Sequence, residues 1–245
     1  MNKLFLSMLA CIATSLVFTS CDKEDGDENN DGNLESSPVT VVEAKIENGD
    51  RYNGQIDSVK AFINWKEIYN EETQNWEEVG YEVGFGVYQN GGFTLSLVNP
   101  LDDEQLSEIK DLDFLENILD PEYSEAWKNI QVSAPGARGA CFEDIDAFDS
   151  SGNIIGKFEL GTWDDDADID VETQFMYMDR DVTITGSYSE KDGDETQNYI
   201  YTVSLKRGWN LLYEVDTEKG NTFTQEITTR KPSGLTWDYR DYSRY

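Results

Sequence analysis

Most of the chain alternates between apolar and polar positions with a period of two, which is typical of half-buried β-strands. In the clearest case Val59, Ala61, Ile63 and Trp65 share one predicted face. About ten to twelve strands separated by short turns favour an antiparallel β-sandwich or a barrel-like fold. Similar runs bounded by turn-forming residues predict further strands at 41–46, 81–87, 93–97, 142–148, 154–160, 173–178, 182–188, 199–206, 211–215, 223–229 and 235–239.

One stretch, around residues 102–128, departs from this alternation. An acidic turn begins it, and the apolar residues that follow predict a short helical crossover packed on the sheets. We therefore expect a mainly β chain, organised as one large or two small β domains, with any subdivision near residues 100–130. The apolar residues of the crossover recur every three positions: Leu106, Ile109, Leu112, Leu115 and Ile118.

The N-terminus has a different character from the rest. A basic residue precedes an apolar run from Leu4 to Phe18, and small residues stand directly before Cys21. This order is typical of a bacterial lipoprotein signal, and the run is shorter than the roughly 20 residues of a membrane-spanning helix. We predict a signal peptide at 1–20, a lipidated cysteine with an acidic flexible tether at 21–37, and a β-rich surface domain at 38–245.

Charge and residue usage exclude several classes of function. The chain has 19 Lys and Arg against 50 Asp and Glu, a formal charge of −31, which disfavours nucleic acid as a partner. It has no histidine, so Ser-His-Asp and Cys-His nucleophiles and histidine metal sites are excluded. Cys141 is the only cysteine after position 37, so we expect no disulfide within the surface domain and interpret Cys141 as a small core residue.

A dense acidic segment is the candidate cation site. Asp164, Asp166, Asp168 and Asp170 could supply oxygen ligands to calcium. Their spacing does not fit an EF-hand, since Ile169 occupies the position of the required glycine. The alternative is a solvated loop without a cofactor.

Two tryptophans are the candidate ligand-binding residues. Trp76 follows a polar hairpin tip and Trp163 precedes the acidic segment, so both are expected to be exposed enough to stack on a sugar ring. No catalytic residue is predicted. We interpret the chain as a non-enzymatic binding or accessory module, with a glycan or a surface protein as partner. The alternatives are a secreted carbohydrate-active hydrolase that uses Asp and Glu, and a calcium-dependent adhesion or structural surface protein.

Several short motifs carry a resemblance to known proteins. Together they resemble the uncharacterised β-rich surface lipoproteins of Bacteroides, a group without an assigned activity, and the Gly-Trp-Asn strand end is the most distinctive. Cys21 followed by Asp22, Lys23 and Glu24 also resembles the surface-export signal of Bacteroidetes lipoproteins. The resemblance implies a lipid anchor in the outer membrane with the protein facing outward. The motifs are Ile56–Ala61, Ala147–Asn153, Asp179–Gly186, Leu205–Asn210 and Lys231–Trp237.

Overall fold

The computed structural model describes residues 38–70, 75–112, 128–162 and 169–242, which all fall within one compact unit. Their fold is mainly β, as predicted. The predicted signal peptide, Cys21 and the tether lie outside the described residues. The strands are β1 Val41–Lys45, β2 Ser58–Asn70, β3 Asn75–Gln89, β4 Gly92–Leu97, β5 Ser107–Glu108, β6 Gln131–Val132, β7 Arg138–Phe142, β8 Ile145–Phe148, β9 Ile154–Gly161, β10 Ile169–Met178, β11 Val182–Asp192, β12 Glu195–Leu205, β13 Gly208–Lys219, β14 Thr222–Thr228 and β15 Thr236–Asp241.

Two curled sheets make up the sandwich-like or barrel-like fold. The first has the order β1-β4-β3-β2-β8-β9-β15, and the second has the order β5-β7-β10-β13-β14-β12-β11-β6. Among the strands described, neighbours are antiparallel except for β12 and β14, which run parallel. The last strand of the chain, β15, lies at one edge of the first sheet and β1 at the other.

β10 is buried on both faces along half of its length. Phe175 and Tyr177 belong to a first core, which also contains residues of the first sheet. Met176 and Met178 point the other way into a second core on the opposite face of the second sheet. The nearly unbroken apolar run at 175–178 is the sequence signal of a strand covered on both sides. β10 therefore forms part of a wall between two cores.

The predicted strand at 142–148 is wrong in one respect, because it is two strands. β7 ends at Phe142 and belongs to the second sheet, whereas β8 begins at Ile145 and belongs to the first. Two consecutive polar residues, Glu143 and Asp144, interrupt the period of two and mark the break. The chain changes sheets at these two residues.

The described part of the predicted helical crossover contains no α-helix. Two short 3₁₀ turns, 103–105 and 109–111, flank the two-residue strand β5. A 3₁₀ helix has three residues per turn, which fits the three-residue spacing that places Ile109 and Leu112 in the second core. Residues 113–127 lie outside the described part.

The Gly-Trp-Asn motif begins β13 and has a structural role. Gly208 has a φ of +99°, a conformation that L side chains rarely adopt. Trp209 is fully buried, and its Nε1–H donates to the carbonyl of Val98 at 2.7 Å. The Asn210 side chain accepts a hydrogen bond from the Lys206 N–H and donates to the Lys206 and Gly208 carbonyls, each at 2.8 Å. The motif therefore holds a bend before β13 and anchors it to both sheets.

Candidate functional site

A cavity of about 220 Å³ opens where the chain changes from the second sheet to the first. Glu143 and Asp144, the residues between β7 and β8, line one side of it. β9, β10 and β15 provide the remainder, and an isolated bridge between Thr162 and Val171 joins β9 to β10 beside it. We call this the junction cavity; its polar lining is Glu143, Asp144, Lys157, Glu159, Glu172, Thr173 and Arg240.

Four of these charged side chains neutralise one another. Lys157 Nζ lies 2.9 Å from Asp144 Oδ2 and 2.6 Å from Glu159 Oε1. Burial alone would lower the pKa of Lys157, but its two carboxylate partners outweigh that effect and raise it. Arg240 Nε lies 2.7 Å from Glu159 Oε2, an ion-pair contact that is not aligned as a hydrogen bond. The group is thus a pair of cations held by a pair of anions.

The two other carboxylates of the cavity have no cation within ion-pair distance in the described part of the chain. Glu143 accepts a hydrogen bond from the Gln174 side chain, which carries no charge. Burial raises the pKa of Glu172, and the charges of Glu143, Asp170 and other nearby acids raise it further. Negative charge is therefore in excess on this side of the cavity.

Thr173 lies beside the cavity and has a buried hydroxyl. Its residue is only 5% exposed, and its Oγ1 has no hydrogen-bond partner among the residues that the structure describes. Buried hydroxyls are usually hydrogen-bonded, because leaving one unpaired costs about 1–3 kcal/mol. Thr173 Oγ1 has almost no accessible surface, and Thr173 points to the opposite face of β10 from Glu172, so the hydroxyl is closed off from the cavity.

A second acidic feature adjoins the cavity on the β10–β13 pair. Glu172 lies directly opposite Glu214, and Asp170 lies directly opposite Asp216. We call these four residues the acid ladder. Side chains directly opposite on antiparallel strands have Cβ atoms about 4.5–5.5 Å apart, and like charges placed so destabilise a sheet. Glu172 belongs to both the acid ladder and the cavity.

Glu214 shows the strongest electrostatic effect of the ladder. Burial raises its pKa to about 7, assisted by the charges of Asp216, Glu172 and Glu143. A hydrogen bond from Gln225 Nε2 to Glu214 Oε1, 2.6 Å long, opposes the shift without cancelling it. Glu214 can therefore hold or release a proton near neutral pH, which is the property of a general acid or base.

The structure brings few of the predicted site residues to this region. Asp170 is one step of the acid ladder, but Trp163, Asp164, Asp166 and Asp168 lie outside the described residues. Trp76 pairs with Tyr69 in the β2–β3 hairpin, and its side chain is not among those described. Within the described ranges, no group of three or more Asp, Glu, His or Cys side chains is arranged to hold a metal ion.

Sequence reasoning missed Glu143, Glu172, Thr173 and Glu214. Two signals could have found them. The adjacent polar residues at 143–144 interrupt a predicted strand, and Glu214 is the one charged residue of the predicted strand at 211–215. Only the register of β10 and β13 places Glu172 and Glu214 opposite each other. Cys141 is half-buried and packs against the second core.

The chain matches no protein-family model, no curated protein and no solved structure. In the described parts of the chain, no helix has the length and apolar character needed to cross a membrane. The geometry and charge of the junction cavity and the acid ladder are therefore the features that bear on function.

Proposed function

We propose that this protein is a lipid-anchored, outward-facing module of a bacterial outer membrane that binds a glycan in the junction cavity. The anchor is supported by the apolar run that ends before Cys21. The cavity itself carries the binding proposal, because it places donors and acceptors together between two sheets. The role is that of a binding or accessory module rather than a catalyst.

The lining suits the hydroxyl groups of a sugar. Carboxylates accept hydrogen bonds, and ammonium and guanidinium groups donate them. The volume of about 220 Å³ is below the roughly 300–1,000 Å³ of a site for a drug-sized molecule. One sugar ring of a longer chain would occupy it.

A glycan-array screen of the full chain, solubilised in detergent, tests the proposal. We expect binding to a defined class of glycans, reduced roughly tenfold by Glu172→Gln, which removes the charge of a carboxylate of the cavity while keeping its shape. Glu43→Gln is the matched control, because Glu43 is exposed on β1 at the opposite edge of the first sheet from β15. A folded sample that binds no glycan would contradict the proposal. The screen is repeated in EDTA, where loss of binding would favour a calcium-dependent adhesion protein instead.

The anchor has its own test. Cells grown with a labelled fatty acid are expected to label the wild-type chain and not Cys21→Ser, and protease added to intact cells is expected to digest the anchored form. Labelling that persists in Cys21→Ser would contradict lipidation at this residue. Resistance to protease would contradict an outward orientation.

A second function, glycoside hydrolysis by two carboxylates, is favoured by one observation. Glu214 has a pKa of about 7 and lies opposite Glu172, and glycosidases use a carboxylic acid with a raised pKa together with a second carboxylate. Hydrolysis of aryl glycosides that Glu214→Gln abolishes, with wild-type activity falling as the pH rises through 7, would replace the binding proposal. Equal background rates for wild type and Glu214→Gln would eliminate this function.

A further inference from the structure

One face of the first sheet carries a band of apolar side chains that the first core does not cover. Residues directly opposite each other on neighbouring strands point to the same face, so the strand registers separate the two faces of this sheet. The inward face belongs to the first core, and the outward face of such a sheet is normally polar. Here the outward face carries six apolar residues, which we call the apolar band: Val41 of β1, Phe62 of β2, Phe85 and Val87 of β3, Phe148 of β8 and Ile154 of β9.

The apolar band is exposed, and its members adjoin one another. Phe148 lies in one row with Val87 and Ile154, and its ring centroid is 6.3 Å from that of Phe62. Single exposed apolar residues are common on protein surfaces, whereas contiguous apolar patches mark surfaces that dock on something. Four of the eight large apolar side chains that are exposed in the described ranges belong to the band: Val41, Phe85, Val87 and Ile154.

The charges around the apolar band balance, unlike those of the chain as a whole. Glu43 and Lys45 lie on the outward face of β1, and Lys60 and Glu82 lie on the outward faces of β2 and β3. Lys60 Nζ is 2.7 Å from Glu82 Oε2 and 5.3 Å from the Phe148 ring centroid. Among the described outward side chains of β1 to β4, these two acids and two bases leave no net charge, in a chain of −31. An anionic surface therefore repels this face less than it repels the rest of the protein.

The strand that begins the apolar band also follows the predicted lipid anchor. β1 is the edge strand of the first sheet and the first strand of the described chain. The 16 residues between Cys21 and Pro38 span at most about 60 Å, so a lipid on Cys21 would keep β1 near the membrane. These residues include seven acids and one large apolar residue, Leu34, which is too little to cover the band. An anchored domain has already lost its freedom to diffuse away, so a weak contact with the membrane is sufficient.

We propose that the apolar band docks on the lipid surface in which Cys21 is anchored, with Phe85 and Val87 at the level of the lipid headgroups. This inference rests on the anchor of the proposed function and adds the face that contacts the membrane. Phenylalanine and aliphatic side chains enter the boundary between headgroups and acyl chains, while a lysine such as Lys60 keeps its ammonium group in water. β15, which lines the junction cavity, is at the opposite edge of the sheet from β1, so the cavity lies at the edge away from the anchor.

Spin labels on the lipidated chain, reconstituted in phosphatidylcholine vesicles, test the inference. One label is placed at Val87→Cys in the band and the other at Ile169→Cys on the second sheet, in a Cys141→Ala background that removes the half-buried native thiol. The two sites are matched, since Val87 is 51% and Ile169 is 50% exposed. We expect a water-soluble nickel chelate to reach the Val87 label roughly threefold less than the Ile169 label, because docking places the former among the headgroups.

Variants separate docking by the apolar band from mere proximity to the membrane. With the label at Ile154→Cys, at the other end of the band, Phe85→Asp is expected to restore access of the nickel chelate, because a carboxylate among the headgroups opposes docking. Ile169→Asp adds the same charge on the second sheet and is expected to leave the Ile154 label protected. Both replaced residues are exposed, and circular dichroism establishes that each variant folds.

The outcomes distinguish the inference from the function on which it rests. Equal access of the nickel chelate to the Val87 and Ile169 labels would overturn the inference while the lipid anchor and the glycan proposal stand. Dipolar broadening between the Val87 labels of two copies would assign the band to a second copy of this chain and would also overturn it. If Cys21 takes up no labelled fatty acid, the anchor itself fails, and the inference fails with it.

Discussion

The two ends of the β10–β13 pair share one hydrogen-bond ladder but differ in their side chains and in their burial. At one end, Met178 pairs with Gly208 and the side chains on both faces are buried. At the other end, Asp170 pairs with Asp216 and Glu172 with Glu214, and burial declines towards solvent. The pairing with β13 is the same at both ends, whereas β7 pairs with β10 only at 175–178, so the side chains and the neighbouring strands together distinguish the two ends.

The apolar end supplies stability, whereas the acidic end reduces it. Opposing like charges destabilise a sheet, and burial raises the pKa of both Glu172 and Glu214. Positions where a sequence departs from the rules of stability are expected to be functional or strained. This contrast is the physical reason for placing the candidate site at the acidic end, where Glu172 reaches the junction cavity.

The largest effect is expected from Trp209→Ala at the apolar end. Trp209 is fully buried and packs edge-to-face on Phe142 and Tyr177, with ring centroids 5.2 and 5.4 Å apart. The free energy of unfolding should fall by about 3–5 kcal/mol, since a large cavity replaces the indole. Urea denaturation measures this, with Trp209→Phe as a control that keeps a ring and should lose less. A loss below about 1 kcal/mol would show that this end does not anchor the sheets.

Asn210→Ala should have the next largest effect. It removes the side chain that bonds the Lys206 N–H and the Lys206 and Gly208 carbonyls in a buried position. We expect a loss of about 2–3 kcal/mol in urea denaturation, because buried backbone groups lose their partners. Asn221→Ala, in an exposed turn, should change stability by less than about 0.5 kcal/mol. Similar values for the two variants would remove the structural role assigned to the Gly-Trp-Asn motif.

Glu214→Gln tests the acidic end through its pH dependence. The folded-state pKa of Glu214, about 7, lies above its ordinary value of 4.5, so the folded state binds the proton more tightly than the unfolded state does. The contribution of Glu214 to wild-type stability should therefore be fully present below pH 4.5 and be lost as the pH rises through about 7.

The variant should remove this fall while keeping the hydrogen bond from Gln225. Because Glu214 is only half-buried, solvent screening reduces the effect, and we expect Glu214→Gln to be about 1–2 kcal/mol more stable than wild type at pH 8. At pH 4 the two should agree within about 0.5 kcal/mol. Thermal denaturation at the two pH values measures both differences, with Glu43→Gln as the control. Equal stability of wild type and Glu214→Gln at pH 8 would contradict the raised pKa.

The smallest effect is expected from Thr173→Val, which replaces an unpaired buried hydroxyl by a methyl group. Without ligand, the melting temperature should stay the same or rise slightly, by the equivalent of up to about 1 kcal/mol. A loss of more than about 1 kcal/mol would mean that the hydroxyl has a partner in the unliganded protein.

The sequence by itself determined the fold class and most of the strands. Period-two patterning located the strand at 154–160 to within one residue of β9. It also predicted a strand at 173–178, within β10, but not that both faces of this strand are covered. The local pattern is sufficient to locate a strand, because alternating apolar and polar residues reflect one buried and one exposed face. The break at 143–144 was visible as two adjacent polar residues, but its meaning as a change of sheet was not.

Tertiary structure alone decided the candidate site. Glu143, Glu159, Glu172 and Arg240 are far apart along the chain, and strand order and register bring them to one cavity. Among 50 acidic residues no local pattern separates a paired carboxylate from a solvated one. The pKa of Glu214 and the unpaired hydroxyl of Thr173 likewise depend on burial and on neighbours from other strands, which the order of residues in a single strand does not specify.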